Sequence, residues 1–140
     1  MSNQTHHTYT ASVLLPYRFV GEELTLFLQK RTKDAPSFPD QFGFFGGGVE
    51  EGETPEQALV REGKEEMNTD ATEYSLWRVY NLETATLHIF SLLVDENFEN
   101  TIEVLEGQYG RFLNRKEFEK ESIVERDRQV FLDFFDAFEK

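Results

Sequence analysis

The run Gly46-Gly47-Gly48-Val49-Glu50-Glu51-Gly52-Glu53-Thr54-Pro55 leads within a few residues into Arg61-Glu62-Gly63-Lys64-Glu65-Glu66. It constrains the chain more than any other segment, because it joins a glycine-rich turn to a helix whose carboxylates converge. Thr54 can cap that helix, Gln57 can reciprocate three residues on, and Pro55 suits the first helical position. At about 100° per residue, with Ala58 as zero, Glu65 falls near ~340°, Glu62 near ~40° and Glu66 near ~80°. The three carboxylates therefore share one face. Leu59, Val60, Gly63 and Met67 occupy a separate arc from roughly 100° to 200°, the side expected to meet the core. Arg61 lies outside both arcs, and Asn68 suits a left-handed terminator.

Like charges on adjacent helical turns repel by roughly 0.2 to 0.5 kcal/mol per pair, and a divalent cation would reverse that sign. Hard oxygen donors suit Mg²⁺, with Mn²⁺ as the other choice, and a chain without Cys offers no thiolate for zinc or copper. A solvated helix face is the ordinary reading of such a run when 29% of residues are charged. What lies upstream shifts the balance toward a site.

The spacing from Gly47 through Glu53 and Arg61-Glu62 to Glu65-Glu66 closely resembles the signature of the Nudix hydrolases. The aromatic-rich segment Phe42-Gly43-Phe44-Phe45 precedes it, as a strand does in that family. Gly63, Asn68, Thr69 and Phe45 depart from the usual pattern, and none of them is a proposed ligand. The resemblance implies a single Nudix domain over residues 1–140 with an α/β/α sandwich fold and a mixed β-sheet. It also implies hydrolysis within the phosphoanhydride chain of a nucleoside diphosphate linked to a further group. Glu62, Glu65 and Glu66, joined by the Gly46 carbonyl, are the expected metal ligands. Arg61 and Glu53 would pair to hold the glycine turn against the helix, a structural role shared with Gly47.

Water attack also needs a proton acceptor. Glu62, whose counterpart serves in some relatives, and Glu106 in the segment Glu103-Val104-Leu105-Glu106-Gly107 are the candidates, with Glu103 competing. Glu62, Glu66 and Glu106 are thus the carboxylates expected to carry catalysis. Lys30 and Arg31, ending the second strand, are candidate phosphate contacts or ordinary surface charges. Tyr17, Phe19, Phe44 and Trp77 are candidates for stacking on a base, with core packing as the alternative. His88 reads as packed within a strand, and His6 and His7 as terminal residues too few for a metal site.

No Pro follows Pro55, whereas relatives that cleave ADP-ribose often carry one beyond the motif. The reading therefore leans to the MutT-like group acting on nucleoside triphosphates, some of them oxidised purines. A nucleotide-sugar or ADP-ribose pyrophosphatase and a non-catalytic nucleotide-binding module are the alternatives. A Nudix-fold isomerase would be expected to use a catalytic Cys, which this chain lacks.

A net charge of -13 opposes a nucleic-acid backbone, so duplex DNA is not an expected partner, whereas a small nucleotide is. No stretch approaches the roughly 18 apolar residues of a membrane span, and the polar start lacks a signal-peptide core. The expected compartment is the cytoplasm.

Alternation predicts strands over Thr8–Phe19, Leu24–Gln29, Phe42–Phe45, Tyr74–Asn81, Thr86–Val94 and Gly110–Leu113. Helices are predicted from Pro55 to Met67 and from Glu125 to Phe138. The second carries Val130, Phe131, Phe134, Phe135 and Phe138 in a stripe that reads as core packing, or else as a homodimer contact.

Overall fold

Residues 9–70 and 72–139 are described by the computed structural model. The chain opens with a long antiparallel hairpin, β1 (Tyr9–Val20) and β2 (Glu23–Lys30), which turns through Gly21 at φ 66°. Thr8, expected as the first strand residue, lies outside the described residues, as do His6 and His7. β3 (Phe42–Gly43) pairs with β2, whereas β4 (Phe45–Gly48) pairs with β1. After α1 (Pro55–Met67) come β5 (Ser75–Asn81), β6 (Ala85–Leu93), a 3₁₀ turn at Phe98–Asn100 and β7 (Tyr109–Leu113). Two helices close the chain, α2 (Arg115–Lys120) and α3 (Glu125–Phe138).

The strands form one seven-stranded sheet in the order β3-β2-β1-β6-β5, with β4 added to β1 and β7 to β2. It is mixed, because β1 and β6 run parallel from Tyr9 opposite Ala85 to Tyr17 opposite Leu93, while the other pairs are antiparallel. The run Ala11–Pro16 is buried on both faces. Such a run marks a central strand covered on two sides. Val13 and Leu15 face the layer containing α2 and α3, and Leu14 faces the layer containing α1.

Val130, Phe131, Phe134 and Phe135 of α3 are each at most 1% exposed, and Phe138 packs at their edge. The stripe is core, as periodicity suggested, and it is not available as a dimer contact. α2 was absent from the sequence reading, although Asn114 and Glu117 form a reciprocal capping box there. That pair was the available signal.

The glycine run also differs from expectation. Phe42–Phe45 is not one strand, because the backbone changes partner at Phe44, from β2 to β1. Gly46, Gly47 and Gly48 are strand residues opposite Val13, Ser12 and Ala11, not a free turn. Gly46 takes φ 136°, and a Cβ there would collide with the Ser12 carbonyl. Only glycine lets β4 approach β1 this closely while turning toward α1.

Candidate active site

Helix α1 starts as its sequence dictates. Thr54 accepts from the Gln57 N–H at 3.1 Å, and the Gln57 side chain accepts from the Thr54 N–H at 2.9 Å. Asn68 ends it at φ 49°, its N–H donating to the Lys64 carbonyl. Ala58, Leu59, Gly63 and Met67 are buried, and full burial of Leu59 and Met67 contributes about 1.5–3 kcal/mol each. Val60, expected on that face, is 42% exposed. Glu66, expected on the polar face, is 5% exposed. The apolar face is thus rotated toward Glu66, because β4 lies over that side of the helix.

Arg61 fastens the N-terminal half of α1 to the glycine strand. Its Nε and Nη2 donate to the two Glu53 carboxylate oxygens at 2.8 and 3.0 Å, and Nη2 also donates to the Gly48 carbonyl at 2.9 Å. Glu53 in turn accepts from the Glu50 N–H at 2.9 Å. The Arg61 hydrogen bonds hold the Glu53 carboxyl below the ordinary carboxylate range. Nη1 reaches Glu65 at 3.3 Å and Glu62 at 3.7 Å.

One turn further on, the balance reverses. The Gly46 N–H donates to the Glu66 carboxylate. Burial, then the charges of Glu62 and Glu106, nevertheless push the Glu66 carboxyl up to about 9. Glu62 is raised as well, first by burial and then by the charges of Glu65 and Glu106, with Arg61 opposing. Gly47 leaves room for the Glu62 carboxylate, which a Cβ at that position would strike. Glu65 is the outer member, its side chain 50% exposed beside Arg61.

Glu106 reaches this group from far along the chain. The Glu103 and Leu105 N–H groups donate to the Met67 and Glu66 carbonyls at 2.9 and 2.7 Å, satisfying acceptors that a helix end leaves free. That docking brings the Glu106 charge onto Glu62 and Glu66, whereas Glu103 is tied in through its backbone N–H. Gln29, 4% exposed, donates to the Glu106 carbonyl at 3.1 Å.

Two cavities meet at Gln29, Arg31 and Glu66. One, of about 260 Å³, runs from Gly46 and Gly47 past Phe38 and Phe44 to Arg126 and Asp127. The other, of about 290 Å³, lies between Thr32–Pro36 and Glu106–Gly107. Arg31 lines both, its Nε donating to the Ser37 carbonyl at 2.9 Å, whereas Lys30 is engaged by Asp40 at 3.4 Å. Of the aromatic candidates only Phe44 lines the first cavity. Tyr17 and Trp77 pack on Phe134 and Phe138, and Phe19 lies beside Arg18 and Leu93 in a separate cleft. His88 sits within β6, its Nδ1 buried without a hydrogen-bond partner among the described residues.

Sequence reasoning missed Asp127. It is 2% exposed, accepts from Arg126 Nε at 2.8 Å, and is held above the ordinary carboxylate range by burial. It reaches the cavity because Ile123 bridges to Phe42, and the Val124 N–H donates to the Phe42 carbonyl at 2.9 Å. No local pattern announces that long-range docking.

Among the described residues, no three Asp, Glu, His or Cys side chains are already closed around a metal position. The arrangement of Glu62, Glu65 and Glu66 is open, and its donors are all oxygen. Burial and neighbouring carboxylates destabilise the charged forms of Glu62 and Glu66, which a divalent cation would offset, so these residues fit Mg²⁺ or Mn²⁺.

The chain is thus a mixed-sheet α/β protein with a glycine strand laid over a carboxylate-bearing helix and two cavities meeting at the buried Glu66. A profile of the NUDIX domain matches residues 6–134, and the chain belongs to the Nudix family, with MutT-like character. The 8-oxo-dGTP diphosphatase of Escherichia coli (strain K12) is 35% identical over 97 residues, covering 67% of this chain and 73% of that one. MutT from a study of Aliivibrio salmonicida and Vibrio cholerae superposes with TM-score 0.75 at 21% identity, covering 94% and 99% of the two chains. The NUDIX domain of Shewanella oneidensis NrtR, complexed with ADP ribose, gives 0.73 at 11% identity over 93% and 88%. Both superpositions support the α/β fold. Among the described residues no helix is long and apolar enough to cross a membrane.

Proposed function

We propose that this chain, acting as a single cytoplasmic domain, hydrolyses a purine nucleoside triphosphate to the monophosphate and pyrophosphate with a divalent cation. The observation carrying the reading is the buried carboxylate Glu66, fixed under the Gly46 amide at the junction of two cavities.

Glu62, Glu65, Glu66 and the Gly46 carbonyl would hold Mg²⁺ or Mn²⁺. When bound, that cation supplies Lewis acidity toward the phosphate oxygens and the attacking water. Arg31, at the meeting of the cavities, orients the phosphate chain. Glu106 accepts the proton from the attacking water, with Glu62 as its competitor. The Arg61–Glu53–Gly48 clamp holds β4 against α1, keeping Gly46 and Gly47 beside the carboxylates. Base selection belongs to Asp127. Two of its roughly four acceptor positions are used by Arg126 and the Phe44 amide, leaving others for a guanine N–H edge. The oxidised purine named for the curated relative, 8-oxo-dGTP, carries the same edge.

A second reading, a nucleotide-sugar or ADP-ribose pyrophosphatase, draws support from the 290 Å³ cavity, which has room for a group beyond pyrophosphate. The deciding experiment is hydrolysis of 8-oxo-dGTP, dGTP, nucleotide sugars and ADP-ribose with Mg²⁺, products being read by mass for wild type and Glu66→Gln. A monophosphate and pyrophosphate, lost in Glu66→Gln, is the expected result. Sugar phosphate as the main product would transfer the assignment to the second reading. Turnover undiminished in Glu66→Gln would remove Glu66 from the metal site.

A further inference from the structure

Two loops face each other across the second cavity, and a single side chain ties them. The first loop, residues 31–41, carries Phe38 into the pocket beside Gly46 and Gly47, with the residue 40% exposed. Its backbone is held unusually, with Phe38 at φ 50° and Asp40 at φ 58°, a region where a bulky side chain is rarely found. Lys30 Nζ donates to the Asp40 carbonyl at 3.0 Å, and the Asp40 N–H donates to the Thr32 carbonyl at 3.0 Å.

The second loop carries Glu106. It turns at Gly107, φ 84°, where a Cβ would lie 2.8 Å from the Lys30 carbonyl, so this loop can approach the end of β2 this closely only at glycine. The next residue makes the connection. The Gln108 N–H donates to the Lys30 carbonyl at 2.8 Å, and Nε2 donates to the Arg31 carbonyl at 2.8 Å and to Asp40 Oδ1 at 3.2 Å. A primary amide has two N–H donors, and here each has an acceptor on the opposite loop.

We propose that Gln108 is a positioning residue that locks the loop carrying Phe38 to the loop carrying Glu106, so that the pocket rim and the Glu106 carboxylate keep one fixed relation. The inference rests on the reading of Glu106 as proton acceptor. The lock matters because an acceptor held on a loop catalyses only while its distance to the attacking water is preserved. Glutamate cannot replace Gln108, since it has no donors and would set a second carboxylate beside Asp40. An Asp40→Asn change tolerates the left-handed backbone and supplies a new amide donor toward a glutamate at 108.

The experiment measures kcat for Mg²⁺-dependent hydrolysis of 8-oxo-dGTP by Gln108→Ala, alone and with Glu106→Gln, together with amide hydrogen exchange of the substrate-free proteins. Gln108→Ala should lower kcat about tenfold alone and leave it almost unchanged in the Glu106→Gln background, with exchange quickened in both loops. Gln108→Glu should be at least as impaired, and adding Asp40→Asn should restore part of its activity. Equal losses in both backgrounds, or quickened exchange in only one loop, would overturn the lock. Full turnover by Glu106→Gln would instead remove the acceptor reading, and the exchange pattern would still decide whether Gln108 joins the loops.

Discussion

The two halves of α1 use the same residue types to opposite electrostatic ends. At its middle, Arg61 reaches back to Glu53, just ahead of the helix, gives it two hydrogen bonds and lowers its pKa. One turn later, Glu66 is more deeply buried, faces Glu62 and Glu106, and is raised to about 9. The first half has its charges answered by the chain itself. The second half holds charges that the chain leaves for something else to answer, and that asymmetry marks where a cation would act.

The largest expected break in the comparison comes from Glu66→Gln. Turnover should fall about 10²- to 10³-fold, since a fixed electrostatic contact to the reacting centre is lost. Stability should move the other way. A carboxyl raised from the ordinary 4.5 to about 9 binds a proton in the folded chain that the unfolded chain has released across that interval. Metal-free wild type should therefore lose stability as pH rises from about 5 to about 9, by on the order of 1 kcal/mol per unit. Glu66→Gln should flatten that slope, and Mg²⁺ should oppose it in wild type only. Chemical denaturation in EDTA at several pH values measures both.

Arg61→Ala tests the other half. It removes the donors to Glu53 and Gly48 and leaves a like-charged cluster of Glu53, Glu62 and Glu65. A drop of several degrees in melting temperature should accompany the loss of activity. Activity lost at unchanged melting temperature and unchanged metal affinity would assign Arg61 to chemistry instead of to the clamp.

Asp127→Asn should have a smaller and more selective effect. It keeps the shape and removes the charge that faces the pocket, so kcat/KM for guanine nucleotides should fall about tenfold, mostly through KM. A pyrimidine triphosphate, which does not offer the same edge, should be affected less. An equal loss for both would detach Asp127 from base selection and leave it as a partner of Arg126.

What the sequence revealed was what is local. The Thr54–Gln57 box, the Asn68 terminator, the β1–β2 hairpin and the α3 stripe each follow from contacts within a few residues, and each is present. The carboxylate face of α1 was legible by the same arithmetic. Its burial was not, because Glu66 is covered by the glycine strand 20 residues away in sequence. The glycines themselves misled for a related reason. Taken alone they suit a turn, but β1 fixes Gly46–Gly48 as a strand. Asp127 and the Gln108 connection depend on segments that meet only after the sheet has formed. Glu106 was reached by a weak local cue, a Glu beside a Gly, whereas its position depends on docking to the Glu66 and Met67 carbonyls.

Val60 sharpens the comparison with the smallest expected effect. A wheel drawn from Ala58 assigned it to the core with Leu59 and Met67, yet it is 42% exposed where those two are 0%. The buried arc therefore ends short of Val60 and extends past Gly63 to Glu66. Val60→Ser should change unfolding free energy by no more than about 0.5 kcal/mol, because much less apolar surface is withdrawn from water there than at Leu59. Leu59→Ser in the same assay should cost several times more, through lost burial and an added unsatisfied hydroxyl. Equal costs for the two would mean that α1 sits on the sheet in the rotation its apolar residues alone suggest, with Glu66 turned back toward solvent.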